Sequence, residues 1–337
     1  MPFVRHLAIA FAAVLPAVPA GAAAAQQCPY RGDLDDIYCD ANRDMLADAP
    51  TDPKKFKNPA TLLLTYSPQE DPVTYEKMWE PYVKHLRQCI GRPVRYFQVH
   101  SSAASIEALR SGRVHLNLLS AGDTPFAVNV GGAQPFANHG TEKGGITSYH
   151  LIVVVKTASP YKTLAELKGK RVAHVAPSSN SGNLAPRALF PAEGVVPEKD
   201  YKVVYSGKHD NSIEGVINGD YDAAAVADDV LVRMVQRGAV KEGDLRIIYK
   251  SRPFPAGSLA LAHDLAPELD RKIRDCTFRF RFPAELSNAF RGPDRFVLLD
   301  YKRDFESVRQ VAAASGELLT RAGFETRKMR EEAARKK

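Results

Sequence analysis

The stretch KRVAHVAPSSNSGNLAP, residues 170–186, decides the fold, because a strand-like run is followed by a polar turn and then by a helix-like run. Small or polar residues fill the turn from Ser178 to Asn183. The first N–H groups of a helix have no partner within it and lie at the positive end of its dipole. The turn therefore predicts either an ordinary helix cap or an anion pocket. Its candidate residues are Ser179, Asn180, Ser181 and Gly182.

The same alternation extends outward in both directions from this turn. Strand and helix patterns alternate from TLLLTY (61–66) to DTPFAVNV (123–130), and the order restarts at SYHLIVVVK (148–156). Two such units predict an α/β fold with two doubly wound domains, each a sheet covered by helices. The long apolar runs at 148–156 and 246–262 flank the second unit. We expect them to be two crossing strands that make the first domain discontinuous, with a ligand in the cleft between the domains.

The sequence texture suggests the domain limits. An acidic, Pro-containing segment precedes the first strand, and the chain ends in the basic run RKMREEAARKK, which is expected to be frayed or disordered from about residue 325. The predicted segments are 1–25 as a signal peptide, 26–58 as an acidic extension, 59–148 and 258–325 as domain 1, 149–257 as domain 2, and 326–337 as a basic tail.

The first 25 residues have the features of a cleavable export signal. Arg5 and His6 precede the apolar run LAIAFAAVLPAVPA, and small residues suited to cleavage after Ala25 follow. This run is too short and too rich in Ala and Pro for a membrane span. The sequence therefore predicts an exported protein, placed in the periplasm.

Four cysteines fit an oxidising compartment, in which disulfides are the default. Three pairings are possible, and local closure favours Cys28 with Cys39, which leaves Cys89 with Cys276. A lipid anchor on Cys28 is the alternative, but Gln26 and Gln27 stand where a lipoprotein signal needs small residues.

Composition limits the function classes. The chain has 337 residues, 45% of them hydrophobic and 25% charged, which is typical of a globular protein and not of a disordered one. Its net charge of +7 is spread along the chain, without the interleaved basic and aromatic patch of nucleic-acid binders. We expect a monomer whose partner is a small anion, with no nucleic acid and no cofactor.

Other strand-to-helix turns also carry polar side chains. Capping and turn chemistry could explain each one separately, but their recurrence at strand carboxyl ends in both domains favours a shared site. A carboxylate at one of them, in AAAVADDV, would repel an anion and could accept an ammonium or hydroxyl group. The further candidates are Tyr66, Ser67, Ser120, Thr124, His209 and Asp229.

The motifs in this order resemble a known family. P-x-S-x-S-G at 177–182 and H-D-x-x-I-x-x-V-x-x-G-x-x-D-A at 209–223 are its most specific parts. Over roughly residues 60–310 the chain is similar to the periplasmic proteins of ABC importers that bind phosphate, phosphite or phosphonate. The resemblance implies a hinged clamshell of the type II periplasmic binding protein kind, with two strand crossings.

The same resemblance implies roles for individual residues. Ser179, Asn180 and Ser181 would hold the oxyanion, and His209 would be a further donor. Tyr66 and Ser120 would line the first-domain wall, and Asp229 would face the other end of the ligand. Two departures stand out: Asn180 replaces the usual Thr, and Gly257 with Ser258 occupies the place of a second carboxylate in aminophosphonate binders. The identity of the anion therefore stays open.

The acidic extension partly resembles a calcium loop. Met45 stands where such a loop needs glycine, and Thr51 where it needs a bidentate glutamate. A solvated cap tied by a disulfide is the favoured interpretation, and no metal site is predicted. The weak candidates for a metal are Asp40, Asn42, Asp44 and Asp48.

These patterns predict a protein that binds and releases a ligand without making or breaking bonds. No nucleophile elbow, P-loop or zinc-protease motif occurs in the sequence, so an enzyme such as a small hydrolase is the least favoured hypothesis. The favoured hypothesis is the substrate-binding protein of an ABC importer for a phosphonate-like oxyanion, with the membrane permease as partner. The alternative keeps the fold but makes the protein an oxyanion sensor, for example of arsenite, that signals to a membrane histidine kinase.

Overall fold

The structure, a computed structural model, describes residues 28–335, and the predicted export signal lies outside them. No helix in this range is long and apolar enough to cross a membrane. The strands are β1 Leu62–Tyr66, β2 Val94–Tyr96, β3 Leu116–Leu119, β4 Ala133–Thr141, β5 Gly145–Ile146, β6 Ser148–Lys156, β7 Arg171–His174, β8 Lys202–Tyr205, β9 Ala223–Ala227, β10 Leu245–Pro255, β11 Ser258–Ala262 and β12 Arg295–Leu298. The helices are α1 Pro72–Ile90, α2 Ser102–Arg110, α3 Thr124–Gly131, α4 Ala185–Leu189, α5 His209–Asn218, α6 Asp228–Gln236, α7 Pro267–Arg279, α8 Ala284–Ala289, α9 Tyr301–Asp304, α10 Glu306–Ala314 and α11 Arg321–Arg335.

Two sheets form the centres of two lobes. Lobe 1 is built on a seven-stranded sheet in the order β12-β4-β11-β3-β1-β2, with β5 added beside β4. Lobe 2 is built on a five-stranded sheet in the order β10-β6-β9-β7-β8. Parallel pairs join β1 to β2 and β3, and β7 to β8 and β9. The inner strands β3 and β9 are buried along their whole length, which explains their continuous apolar runs.

The chain passes between the lobes twice through strands. It leaves lobe 1 after β4 and β5 and enters lobe 2 as β6, and it returns where β10 is followed by β11. The two crossings touch, because the amide of Ala256 donates to the carbonyl of Thr147 at 3.0 Å. The return turn needs a glycine, since Gly257 has φ +139° and a Cβ there would lie 2.4 Å from the carbonyl oxygen of Leu119. This is the clamshell arrangement that the sequence predicts.

The C-terminal helices depart from the predicted division, which assigned all of 258–325 to the first domain. Helix α10 packs instead against α4 and β10 of lobe 2. Its apolar face buries Val308 and Ala312. After the two strand crossings, the C-terminal segment therefore passes to lobe 2 with α10 and back to lobe 1 with α11.

The predicted disordered tail is also a correction. Residues 321–335 form helix α11, which packs against α2 and α3 of lobe 1. Phe324 is fully buried beside Phe126, and Arg327 is fully buried with acidic partners. A basic run is typical of a solvated tail, but here the buried partner Asp123 on lobe 1 pairs with Arg327 and orders the helix.

The acidic extension is fixed to lobe 1. The Cys28–Cys39 disulfide closes its loop, and Leu34 and Tyr38 are buried. A second disulfide, Cys89–Cys276, joins α1 to α7. Both bonds are those of the pairing that local closure favours.

Candidate functional site

A cavity of 440 Å³ lies between the two lobes. Its walls come from the turns that follow strands β1, β2, β3, β7, β8 and β9, with the crossing segments at Tyr149 and Ala256. Turns distant in sequence meet here because the carboxyl ends of parallel strands lie at one edge of a sheet. Among the polar side chains of the lining, those with hydroxyl and amide groups are the most numerous. Among the described residues, Lys208 is its only Lys or Arg, whereas Asp229 and Glu331 are its carboxylates.

The lobes are in contact around this cavity. The amide of His209 in lobe 2 donates to the carbonyl of Gln69 in lobe 1 at 3.2 Å. The turn at Gly122 in lobe 1 approaches the opposite turn so closely that a Cβ would lie 2.4 Å from the carbonyl oxygen of Ser178 and 2.8 Å from the amide nitrogen of Asn180. Any side chain at Gly122 would push the lobes apart, so the structure has the closed arrangement.

The turn at 178–182 begins the helical segment of lobe 2. A single π turn, Asn180–Leu184, leads directly into α4, and Ser179 is its N-cap. The Ser179 hydroxyl accepts from the amide of Gly182 at 3.0 Å, and a Cβ at Gly182 would lie 2.5 Å from Val175. The segment therefore starts with the N–H groups of Asn180 and Ser181, which have no partner within the helix. Cap and anion pocket are compatible uses of one turn.

Asn180 is held between this turn and the crossing strand β6. Its Nδ2 donates to the Tyr149 hydroxyl at 2.9 Å, while its Oδ1 is buried without a hydrogen-bond partner. Burial raises the pKa of Tyr149, so the phenol stays protonated and can itself donate. A ligand in the cavity could therefore meet either face of the Asn180 amide.

His209 is neutral and oriented toward the same turn. Burial lowers its pKa to about 4. Its Nδ1 accepts from the backbone amide of Ala227 at 3.1 Å, so the proton resides on Nε2. That Nε2 lies 3.4 Å from the Ser179 hydroxyl oxygen. His209 is thus an N–H donor at the cavity wall.

Asp229 occupies the start of α6 and belongs to a buried ion network. Its Oδ2 accepts from Arg233 at 2.7 Å, and Oδ1 is buried without a partner. Burial alone would raise the pKa of Asp229, but the Arg233 guanidinium outweighs it and holds the pKa below its usual value. Arg233 also pairs with Glu70 of lobe 1 at 2.8 Å, and Arg237 bonds the same carboxylate. The network therefore joins a cavity residue to an interlobe contact.

On lobe 1, Asp123 organises the hydroxyls of the wall. Its Oδ2 accepts from Ser102 at 2.8 Å and from Ser120 at 2.7 Å, and its Oδ1 bonds Arg327. Asp123 is the N-cap residue of α3, but its side chain makes no capping bond. A buried cation draws this carboxylate away from the helix end.

The structure brings together six of the ten predicted ligand residues in the cavity wall, namely Ser120, Ser179, Asn180, Ser181, His209 and Asp229. The other four lie behind it. Tyr66 stacks on Tyr75 at 4.1 Å, and Ser67 contacts the Ser105 hydroxyl at 3.1 Å. Thr124 bonds the carbonyl of Ser120 at 2.9 Å, and the amide of Gly182 donates inward to Ser179.

Several lining residues were not anticipated. Ser101 and Ser102 stand at the start of α2, and the strand-to-helix pattern there offered the same signal as the other turns. Tyr149 lies on a crossing strand, where no strand-to-helix turn indicates a ligand. Lys208 lies directly before His209, and a lysine in a turn is usually solvated. Glu331 comes from α11, and the local sequence gave no signal for it.

The weak metal candidates of the acidic extension accept hydrogen bonds that stabilise the turns of that segment. Asp40 accepts from the amides of Asp44 at 2.9 Å and Met45 at 3.1 Å, and Asp48 accepts from Ala41 at 2.8 Å. Asn42 and Asp44 bond each other. Between residues 28 and 335 no group of three or more His, Cys, Asp or Glu side chains is placed to hold a metal ion.

Two lobes, paired strand crossings and a polar cavity between strand ends define a clamshell ligand-binding protein of the type II periplasmic class. A known structure with this fold is the binding protein component of an ABC phosphonate transporter from Pseudomonas aeruginosa, with TM-score 0.68 and 20% identity, covering 83% of this chain and 98% of that one. PhnD1 from Prochlorococcus marinus, solved with methylphosphonate, has TM-score 0.67 and 18% identity, covering 76% and 98%. These likenesses confirm the predicted fold class.

Sequence comparison identifies the family. Residues 64–301 match the family described as ABC transporter, phosphonate, periplasmic substrate-binding protein. The phosphate-import protein PhnD of Mycolicibacterium smegmatis is 30% identical over 231 residues, which are 64% of this chain and 70% of that protein. The chain therefore belongs to the family of periplasmic substrate-binding proteins of ABC phosphonate transporters, as its motifs indicate.

Proposed function

We propose that this protein captures a phosphonate, phosphate or phosphite anion between its lobes and delivers it to an ABC permease. The observation that carries the proposal is the turn Ser179–Gly182, a helix start that opens into the cavity between the lobes beside the neutral N–H donor His209. Unpaired amides at a helix start suit tetrahedral oxyanions. Two relatives, a phosphate-import protein and a protein solved with methylphosphonate, support the same ligand class.

The binding mechanism follows from which lobe supplies each group. Lobe 2 supplies the amides of Asn180 and Ser181 with the His209 Nε2–H, and lobe 1 supplies the hydroxyl of Ser101, whereas the proton of Ser120 is donated to Asp123. An anion that contacts both walls favours the closed arrangement over an open one, by its difference in affinity for the two. Closure then presents a surface made by both lobes to the permease. No bond is made or broken, and we propose no catalytic role.

We infer that the acceptor groups of the cavity wall decide which oxyanion of this class binds. Asp229 Oδ1 and Asn180 Oδ1 are buried acceptors without donors, so a ligand with a hydroxyl or ammonium group beyond its anionic head would satisfy them. Asn180 stands where the family usually has Thr. The hydroxyl of Thr is thereby replaced by an amide, which has a donor NH₂ and an acceptor oxygen. We propose these two residues as the part of the site that chooses among oxyanions.

The biological setting is proposed with the function. The protein would be exported by the signal at residues 1–25 and act as a monomer in the periplasm. The family is that of importer binding proteins, and the comparisons give no support to the sensor alternative. The proposed domain limits are 59–148 with 258–325 for domain 1 and 149–257 for domain 2. Two changes follow from the packing of the C-terminal helices: α10 is assigned to lobe 2, and α11 is added to lobe 1.

Calorimetric titration with phosphate, phosphite, methylphosphonate, 2-aminoethylphosphonate and sulfate tests the proposal. We expect at least one phosphorus oxyanion to bind, and Ser179→Ala with Ser181→Ala to weaken it by about tenfold or more, since each hydroxyl bond to a charged group contributes about 1.5–3 kcal/mol. Ser111→Ala with Ser159→Ala, two hydroxyls outside the cavity lining, is the matched control. Equal binding by both double variants would refute the site, and no binding of any phosphorus oxyanion would refute the function.

A further inference from the structure

The C-terminal helix places a carboxylate in the wall of the cavity. Glu331 on α11 lines the cavity and is only 7% exposed. It lies thirty residues beyond the end of the family match at residue 301. The family motifs therefore say nothing about this residue, and its position follows from how α11 packs against α2 and α3.

Two groups hold the Glu331 carboxylate in place. Its Oε1 lies 3.2 Å from Nε of the fully buried Arg327, and its Oε2 accepts from the backbone amide of Ala103 at 3.4 Å. Arg327 is itself fixed, because it bonds Asp123 and lies with its guanidinium 4.5 Å from the centre of the Phe126 ring. Glu331 is therefore a positioned group of the wall and not a surface side chain that happens to reach it.

The amide that Glu331 accepts from belongs to the first turn of α2, a nine-residue helix capped by Ser101. Such a helix start is the natural place for a second anionic group of a ligand. Here the chain's own carboxylate occupies it. An additional negative group brought to this end would meet Glu331 at close range in a partly desolvated space, where like charges repel strongly.

The rest of the lining also disfavours a second anionic group on the ligand. Asp229 is the second carboxylate, and Lys208 is the only Lys or Arg among the described residues of the wall. The Asn180 Oδ1, in a residue 3% exposed, and the Asp229 Oδ1 lack donors. With Lys208 as the one cationic side chain against the two carboxylates Asp229 and Glu331, the rest of the lining carries a formal negative charge, which disfavours a second anionic group.

We propose that Glu331 is a specificity-determining residue. It admits ligands with one phosphorus oxyanion head and a neutral or cationic remainder, and it excludes ligands that carry a second anionic group. The inference rests on the proposed function, because it assumes that the head binds at the Ser179 turn. It adds that selection depends on the C-terminal helix, which lies outside the matched family region.

A pair of ligands that differ in charge and hardly in shape tests this, namely phosphonoacetate and phosphonoacetamide. We expect the wild-type protein to bind phosphonoacetamide at least about tenfold more tightly, the size of effect that one close like charge produces at a partly buried site. Glu331→Gln keeps the length and one oxygen for the amide of Ala103 but removes the charge. In this variant the ratio of the two dissociation constants, phosphonoacetate over phosphonoacetamide, should fall by about tenfold, because phosphonoacetate binds more tightly.

Glu332→Gln is the matched control, because Glu332 is the exposed neighbour on the same helix and its loss changes the net charge equally. An unchanged preference in Glu331→Gln, with methylphosphonate still bound, would overturn this inference and leave the proposed function intact. Failure of the wild type to bind methylphosphonate or any other phosphorus oxyanion would overturn both. The wild-type preference does not depend on the folding of a variant, and equal binding of the two phosphonoacetate ligands by the wild type would also overturn the inference.

Discussion

At the scale of single residues, the site works through groups whose protonation is fixed by the fold. His209 is neutral because it is buried and because the amide of Ala227 donates to its Nδ1. His174 is neutral for a similar reason: burial lowers its pKa to about 4, and its two ring nitrogens bond Asn183 and Tyr201. Both rings contact the segment between β7 and α4, His174 through Asn183 and His209 through Ser179.

These two histidines predict acid destabilisation. A histidine of the unfolded chain titrates near pH 6.5, whereas His174 and His209 stay neutral in the folded protein down to about 4. The unfolded state therefore takes up protons first, and the free energy of unfolding falls as the pH falls from 6.5 to 4, by on the order of 3 kcal/mol for each residue. Urea unfolding at a series of pH values measures this loss.

The variant His209→Gln should lose less stability over the same pH range than the wild type, because one of the buried histidines with a lowered pKa is gone. Ser111→Ala, which removes no titratable group, should leave the slope unchanged. A pH profile of His209→Gln parallel to that of the wild type would show that His209 titrates normally in the folded protein.

Residue patterns predicted part of the site and could not predict the rest. The strand-end turns were visible because polar residues interrupt apolar runs, and six of ten candidates line the cavity. Tyr66, Ser67 and Thr124 stand at the right turns, but their side chains point into lobe 1 and bond neighbours there. Side-chain direction depends on tertiary partners such as Ser105 and Ser258, which a local pattern does not reveal.

At the scale of elements, the closed arrangement depends on an ion cluster between α6 of lobe 2 and the start of α1 in lobe 1. Glu70 is fully buried and accepts from both Arg233 and Arg237. Burial raises the pKa of Glu70, but the two guanidiniums outweigh it and keep the carboxylate charged. Charges of this kind are costly to bury without a partner, so the cluster favours the state in which the lobes meet.

Removal of the Glu70 charge should therefore loosen the lobes. We expect Glu70→Gln to lose about 3 kcal/mol of stability, since a buried guanidinium is left with fewer partners, and to weaken ligand binding severalfold because closure is less favoured. Unfolding in urea and calorimetry measure the two effects. Glu76→Gln, which removes an exposed charge from α1, is the control. Wild-type affinity and stability in Glu70→Gln would contradict this role for the cluster.

At the scale of the whole molecule, connections distant in sequence define the clamshell. The alternation of strands and helices predicted two α/β units and their crossings, because each element leaves a local periodicity. The C-terminal helices left no such clue to their place. Helix α10 reaches lobe 2, and α11 returns to lobe 1 through the buried pair of Arg327 and Asp123, which are 204 residues apart. Only the packed structure shows that the chain end completes the cavity wall.

The most direct test of the central claim is a crystal structure of the protein with methylphosphonate. The phosphonate oxygens should lie within hydrogen-bond distance of the amides of Asn180 and Ser181 and of Nε2 of His209. At least one oxygen or the methyl group should also contact the lobe 1 wall at Ser101 or Ser120. A ligand bound outside this cavity, or held in it without contact to the turn at Ser179–Gly182, would contradict the account.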